Sequence, residues 1–282
     1  MGAVLTCKSV SERYLKEILP RKAVQTQRDN VKGLANLLTF FNAPPAPLES
    51  IQPVHIRQYM DWRGKTAKTR ANREKALFSH IWNCARAWGL TSAPNPCAGI
   101  KGFSENGRDI YIESNIFDAV WQAADQPLRD ALDLAYLTGQ RPADTLRMSS
   151  LHISAGALTV VQGKTDKKLR IEISGELAQL IARIEERKKS YKVHALILIC
   201  NESGRPLTAS ALRSRFDKAR VVAEKKNPAL KEQIEAFQFR DLRAKAGTDK
   251  ADSHGMRAAQ EQLGHESMSM TEHYVRSRLG QK

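Results

Sequence analysis

Six basic or phenolic residues in the second half of the chain form a set suited to chemistry on a phosphodiester. Two guanidinium groups can bind the non-bridging oxygens of a phosphate and stabilise the charge of a pentacoordinate transition state. A lysine or histidine can protonate a departing sugar oxygen, and a tyrosine can act as a covalent nucleophile that keeps the bond available for rejoining. In chain order, the six residues are Arg141, Lys164, Arg240, Arg243, His265 and Tyr274.

Motifs of several other enzyme classes do not occur in the sequence. There is no Gly-rich loop with Walker spacing, no HExxH zinc motif and no close pair of carboxylates for two-metal chemistry. His265 and His273 are eight residues apart, which is not the spacing of two metal ligands on one helix. The four cysteines lie far apart, a pattern typical of reduced thiols in a cytosolic protein. We therefore expect neither a metal site nor a cofactor.

The chain is strongly basic, which indicates a polyanionic partner. Its formal net charge is +15, and residues 1–105 alone contain 16 Lys and Arg against 7 Asp and Glu. Nucleic acid is the commonest partner of such proteins, so both halves are expected to contact DNA. Charge alone also fits a basic solvated surface without a specific partner. No run of eighteen apolar residues and no secretory leader pattern occurs, so membrane insertion and export are not expected.

The segments around the reactive residues resemble the boxes of the tyrosine recombinase (phage integrase) family. Segment 137–148 (LTGQRPADTLRM) resembles the first box, which makes Arg141 the first catalytic arginine and Asp144 the acidic residue that buttresses the site. The Gly-Lys-Thr between two predicted strands places Lys164 where the family has its hairpin lysine. Each box is a weak signal alone, but four boxes in this order and spacing are a strong one.

The second and third boxes complete the resemblance. Segment 239–249 (FRDLRAKAGTD) is similar to the family's His-x-x-Arg box, with Arg243 as the second catalytic arginine. Segment 263–274 (LGHESMSMTEHY) resembles the third box, in which the nucleophilic tyrosine follows the histidine by nine residues. Arg240 stands where the family usually has histidine. Because arginine stays protonated, it can only donate hydrogen bonds, so we expect Arg240 to be a third phosphate ligand and not a base.

Hydrophobic periodicity predicts the elements that must position these residues. In the first hundred residues it indicates helices over 9–20, 25–41, 53–62 and 69–88, separated by Pro-rich breaks. The second part is mixed, with strands over 157–161 and 169–173 joined by a polar hairpin loop. Further helices are predicted over 128–137, where Gly139 would end the helix, and over 175–188, 208–225, 242–249 and 256–262.

The resemblance and these elements together imply a mainly α protein of two domains. Residues 1–103 would form an all-α core-binding (SAM-like) bundle, and residues 108–282 an α+β catalytic domain with a small antiparallel sheet. The two would close around duplex DNA. A basic helical segment in the first domain is expected to face the DNA through Lys65, Lys68, Arg70, Arg73 and Lys75. For any one of these residues, a solvated helix surface is an equally good interpretation.

The activity that the resemblance implies is site-specific recombination. A 3′-phosphotyrosyl link through Tyr274 would integrate or excise a phage or mobile element at attachment sites. The family works as a tetramer on DNA, sometimes with accessory DNA-bending proteins, which implies a cytoplasmic, nucleoid-associated enzyme of bacterial or phage origin. Many integrases also carry an arm-site DNA-binding domain, for which the resemblance shows no counterpart. Two alternatives remain open at this point: a DNA-relaxing enzyme of the type IB topoisomerase kind, and a DNA-binding relative without catalysis.

Overall fold

The computed structural model describes residues 5–105, 107–193 and 195–275. The chain divides into two compact units, Met1–Gly107 and Arg108–Lys282, which are considered separately. Within the described ranges, no helix is both long and apolar enough to cross a lipid bilayer.

The first unit is all helical. Its main elements are α1 (Cys7–Glu17), α2 (Val24–Phe41) and α3 (Pro53–Ala87). The sequence predicted separate helices over 53–62 and 69–88, and the structure agrees: Ala67, with a non-helical φ of −155° and ψ of 70°, divides α3 into two helical halves at a kink. The core consists of apolar faces from all three helices, including Tyr14, Leu37, Phe41, Tyr59, Phe78 and Trp82.

A buried carboxylate links the two halves of α3. Glu74 is 3% exposed, and its Oε2 accepts hydrogen bonds from the Tyr59 hydroxyl (2.7 Å) and from Nε of Arg63 (2.9 Å). Its Oε1 accepts a third from Nδ2 of Asn36 on α2 (2.7 Å). Because a buried charge is tolerated only when it is paired and hydrogen-bonded, this network fixes the position of α3 after the kink.

The second unit surrounds a small antiparallel sheet with helices. The strands β1 (Ile153–Ser154), β2 (Ala157–Val161) and β3 (Lys168–Glu172) pair in the order β1-β2-β3. The predicted hairpin is confirmed, with Val161 opposite Lys168 at the turn. The helices are α4 (Ser114–Ala123), α5 (Gln126–Thr138), α6 (Pro142–Thr145), α7 (Gly175–Lys188), α8 (Ala209–Lys226), α9 (Lys231–Ala236), α10 (Leu242–His254), α11 (Met256–Leu263) and α12 (Met268–Tyr274).

Two buried helices form the centre of this unit. Helix α5 has Leu128, Leu132 and Leu134 fully buried and ends, as the sequence predicts, at Gly139. Helix α10 packs against α5, α11 and α12, and its buried residues include the charged side chains of Arg243 and Lys245. The mainly helical fold with a small antiparallel sheet is therefore as expected, and α10 brings charge into the protein interior next to the loop after α5.

Candidate active site

Arg141 is positioned by the tight end of helix α5. Gly139 adopts a left-handed conformation with φ +66°, which lets the chain turn directly into α6. Arg141 caps that short helix, and its Nη1 lies 3.3 Å from Oε1 of Gln162 and 3.9 Å from Oδ2 of Asp144. Asp144 is buried and accepts a hydrogen bond from the Gly163 backbone (3.0 Å). The first box is thus attached to the base of the hairpin.

Arg243 is the most deeply buried cation of the site, at 3% exposure. Its Nη1 donates to the Gly139 carbonyl (2.8 Å), and its Nη2 donates to the Leu263 carbonyl (2.7 Å). Burial, with Arg141 nearby, lowers the pKa of Arg243 to about 10, so the guanidinium remains charged at neutral pH. Backbone carbonyls of the first and third boxes therefore hold the Arg243 side chain in place.

His265 is held in a single tautomer. Its Nε2 lies 3.0 Å from Nη2 of Arg243, and because arginine can only donate, Nε2 must accept. Its Nδ1 therefore carries the proton and donates to the hydroxyl of Thr271, 3.1 Å away. Burial and the cations Arg243, Arg141 and Lys167 lower the pKa of His265 to about 4. The imidazole is consequently neutral at physiological pH.

Tyr274 is the last residue of α12 and is half-buried against the same group. Its ring centroid lies 4.9 Å from that of His265 and 5.5 Å from Cζ of Arg243. Tyr274, Arg141 and Arg243 line one pocket of about 320 Å³. Residues from three separate boxes of one chain thus meet in a concave, positively charged site, which suits the binding of a phosphate beside a phenol.

The remaining predicted residues lie at or beyond the edge of the pocket. Arg240 is exposed and lines it. Lys164 is exposed in the turn after β2 and is not among the pocket-lining residues, whereas Nζ of Lys167 lies 3.5 Å from the His265 carbonyl. The structure therefore brings together five of the six reactive residues and leaves Lys164 on the adjoining hairpin.

The pocket also contains residues that sequence reasoning missed. Arg108 and Asp241 line it as an ion pair, with Nε and Oδ1 2.7 Å apart, and His273 contributes a further side chain. Asp241 stands between the two arginines of the second box, and this proximity in the chain is the one signal that could have placed it near the site. Arg108 is the first residue of the predicted second domain, where no motif marks it.

The basic segment of the first unit is only partly free to reach a ligand. Lys65 and Lys68 are exposed on either side of the kink in α3. Arg70 lies 3.7 Å from Asp29, and Arg73 lies 3.5 Å from Glu105. Lys75 is half-buried and its Nζ donates to the Ile100 carbonyl (2.5 Å). In the described ranges, no cluster of three or more His, Cys, Asp or Glu is placed to hold a metal ion.

Comparison with known proteins identifies the family. Residues 111–280, more than half of the chain, match the phage integrase family. The integrase of Escherichia phage HK022 is 29% identical over 248 residues, a match that covers 83% of this chain and 66% of the relative's length.

Two solved structures of lambda integrase share the fold. A dimer bound to a COC′ core site has a TM-score of 0.84 at 22% identity, with 99% of this chain and 98% of that chain covered. A tetramer bound to a Holliday junction has a TM-score of 0.84 at 21% identity, with 99% of this chain and 79% of that chain covered. With three of its boxes meeting in one pocket, the chain belongs to the phage integrase family, the tyrosine-type site-specific recombinases.

Proposed function

We propose that this protein cleaves and rejoins duplex DNA at a specific site through a 3′-phosphotyrosyl intermediate on Tyr274. The observation that carries the proposal is the pocket in which Tyr274 lies beside Arg141 and Arg243 of its own chain. A phosphate there would be held by two guanidinium groups while a phenol lies within the same cavity. This arrangement favours attack by a tyrosine of the same subunit.

In the proposed step, the phenolic oxygen of Tyr274 attacks the scissile phosphorus and the bond to the 5′-oxygen breaks. Arg141 and Arg243 stabilise the negative charge of the pentacoordinate transition state, and the exposed Arg240 adds a third cation. The departing 5′-oxygen takes a proton from Lys164 on the hairpin once DNA is bound. Rejoining reverses these events with the 5′-hydroxyl of another strand, so the bond energy is conserved and no nucleotide is consumed.

The proton of Tyr274 needs an acceptor other than Arg240, because a guanidinium remains protonated. His265 is poorly suited in the observed arrangement, since its one lone pair already accepts from Arg243. To donate a hydrogen bond to the phosphate, its Nε2 must carry the proton instead of Nδ1, so that role requires the imidazole to change tautomer when DNA binds. We infer that water or a phosphate oxygen of the DNA receives the phenolic proton.

The partner implied by this chemistry is duplex DNA carrying attachment sites. Because lambda integrase forms a tetramer on a Holliday junction, we propose that this chain assembles in the same way on two sites, with DNA-bending proteins as possible accessories. The exposed Lys65, Lys68, Arg70 and Arg73 would contact the DNA backbone, and Lys75 would contribute mainly by ordering its own unit. A phage-encoded relative supports a phage or mobile-element origin, and we propose that the protein acts on DNA of the bacterial nucleoid in the cytoplasm.

A covalent-adduct assay tests this function. Duplexes that the protein selects from a random pool are rebuilt as nicked suicide substrates, incubated with protein and EDTA, and denatured. We expect an adduct with selected sequences that is absent for scrambled duplexes and for Tyr274→Phe. Adducts with any duplex, together with relaxation of supercoiled plasmid, would instead identify a type IB-like topoisomerase. Bound substrate without any adduct would identify a non-catalytic binding protein.

A further inference from the structure

Two buried glutamines connect three of the boxes that form the site. Gln140 and Gln162 are each 1% exposed. Nε2 of Gln162 donates to Oε1 of Gln140 (2.8 Å) and to the Leu263 carbonyl (2.9 Å). Nε2 of Gln140 donates in turn to the Thr138 and Gln262 carbonyls (2.9 and 3.0 Å). The amide pair thus ties the hairpin to the loop after α5 and to the end of α11.

Gln162 also organises the hairpin turn that follows it. Its backbone N–H donates to the Lys167 carbonyl (2.9 Å), and its carbonyl accepts from the backbone of Thr165 and Asp166 (3.3 and 2.8 Å). Its side-chain Oε1 accepts from the Thr165 hydroxyl (3.1 Å) and from Arg141 (3.3 Å). Every polar group of Gln162 is therefore engaged, and the turn is built around this one residue.

Lys164 lies inside that turn, between Gln162 and Thr165. Its side chain is exposed, and among the described residues no side chain or carbonyl pairs with it. Where Lys164 can reach is consequently set by the backbone of the turn. Arg141, by contrast, has Asp144 as a second partner 3.9 Å away. Loss of the Gln162 amide should therefore disturb Lys164 more than Arg141.

We propose that Gln162 is a positioning residue whose buried amide fixes the hairpin so that Lys164 can protonate the departing 5′-oxygen. This inference rests on the proposed function, because it assumes the transesterification in which that oxygen leaves. Replacing the amide by an apolar group would leave the Gln140 Oε1 without its donor and remove one of the two donors of the Leu263 carbonyl, the other being Arg243. The turn would shift, and a displacement of about 1 Å can slow a reaction about 100-fold.

Substitution of the leaving atom separates this role from a general structural one. A 5′-bridging sulfur leaves as a thiolate, since a thiol has a pKa of about 8.5 and needs no acid, whereas the natural 5′-oxygen does. Single-turnover adduct formation is measured on both substrates for wild type, Lys164→Ala, Gln162→Leu and Gln162→Glu. The glutamate variant keeps an acceptor for Arg141 and loses both N–H donors. Gln179→Leu, at an exposed position on α7, is the matched control.

We expect Gln162→Leu and Gln162→Glu to cleave the oxygen substrate about 10- to 100-fold more slowly than wild type. On the sulfur substrate, their cleavage rates should lie within about threefold of the wild-type rate. Lys164→Ala should show the same pattern, and Gln179→Leu no defect. Equal losses on both substrates, as from misfolding or a displaced Arg141, would overturn the proposal, as would no loss on either. A Lys164→Ala variant that cleaves the sulfur substrate as poorly as the oxygen substrate would also overturn the proposal. Wild-type protein that forms no adduct would instead refute the proposed function.

Discussion

Acidification is expected to destabilise the second unit through His265. This side chain is 4% exposed and its surroundings lower the pKa to about 4, from 6.5 for the unperturbed group. Below pH 6.5 the unfolded chain therefore binds a proton that the folded chain excludes. Stability contributed by the neutral imidazole is fully present above about pH 6.5, falls as the pH drops toward 4, and levels off below that value.

The size of the effect follows from the two pKa values. Between about pH 8 and about pH 5, the difference in proton binding at this one histidine amounts to about 2 kcal/mol of unfolding free energy. At still lower pH it approaches about 3 kcal/mol. Replacement by glutamine removes the titrating group while keeping an amide that can accept from Arg243.

Urea unfolding of wild type, His265→Gln and His152→Gln at the two pH values measures this contribution. His152 is exposed, so its variant controls for the loss of a histidine as such. Wild type and the control should lose about 2 kcal/mol more stability on acidification than His265→Gln does. Equal acid sensitivity in all three proteins would refute the assignment of His265 as a buried neutral imidazole.

Three further substitutions test the packing around the site and the first unit. Gly139→Ala should lower the free energy of unfolding in urea by about 1–2 kcal/mol and slow adduct formation, because φ is +66° and a Cβ would lie 3.1 Å from Leu263. Unchanged stability would argue against the left-handed turn. Thr271→Val removes the acceptor of the His265 Nδ1–H and should lower the free energy of unfolding by about 1–3 kcal/mol, whereas Thr271→Ser, which keeps a hydroxyl, should lower it less. Glu74→Gln should lower the stability of the first unit by about 2 kcal/mol, because Arg63 loses its charged partner; an unchanged unfolding midpoint would contradict that.

The elements around the site were largely predictable because their signals are local. Gly139 marks the end of α5, and the alternation of apolar residues on either side of a polar turn indicates the β2–β3 hairpin. The box spacings also indicate which side chains could meet. Arg141, Arg243 and Tyr274 do line one pocket.

What the sequence left undetermined depends on contacts between distant residues. Periodicity indicated an interruption between the two halves of α3, but it could not show that a single residue, Ala67, makes the kink in place of a loop. Arg108 reaches the pocket through its pairing with Asp241, 133 residues further along the chain. Lys75 looked like part of a basic face but donates to the Ile100 carbonyl. Such partners are set by tertiary packing and leave no periodic signal.

The central claim is that Tyr274 forms a covalent bond with DNA, and identification of the linked residue tests it most directly. The trapped adduct is digested with nuclease and protease, and the nucleotide-bearing peptide is sequenced by mass spectrometry. We predict a single modified peptide, with the nucleotide on Tyr274 through its 3′-phosphate. Modification of another residue, or an adduct that persists in Tyr274→Phe, would contradict the account.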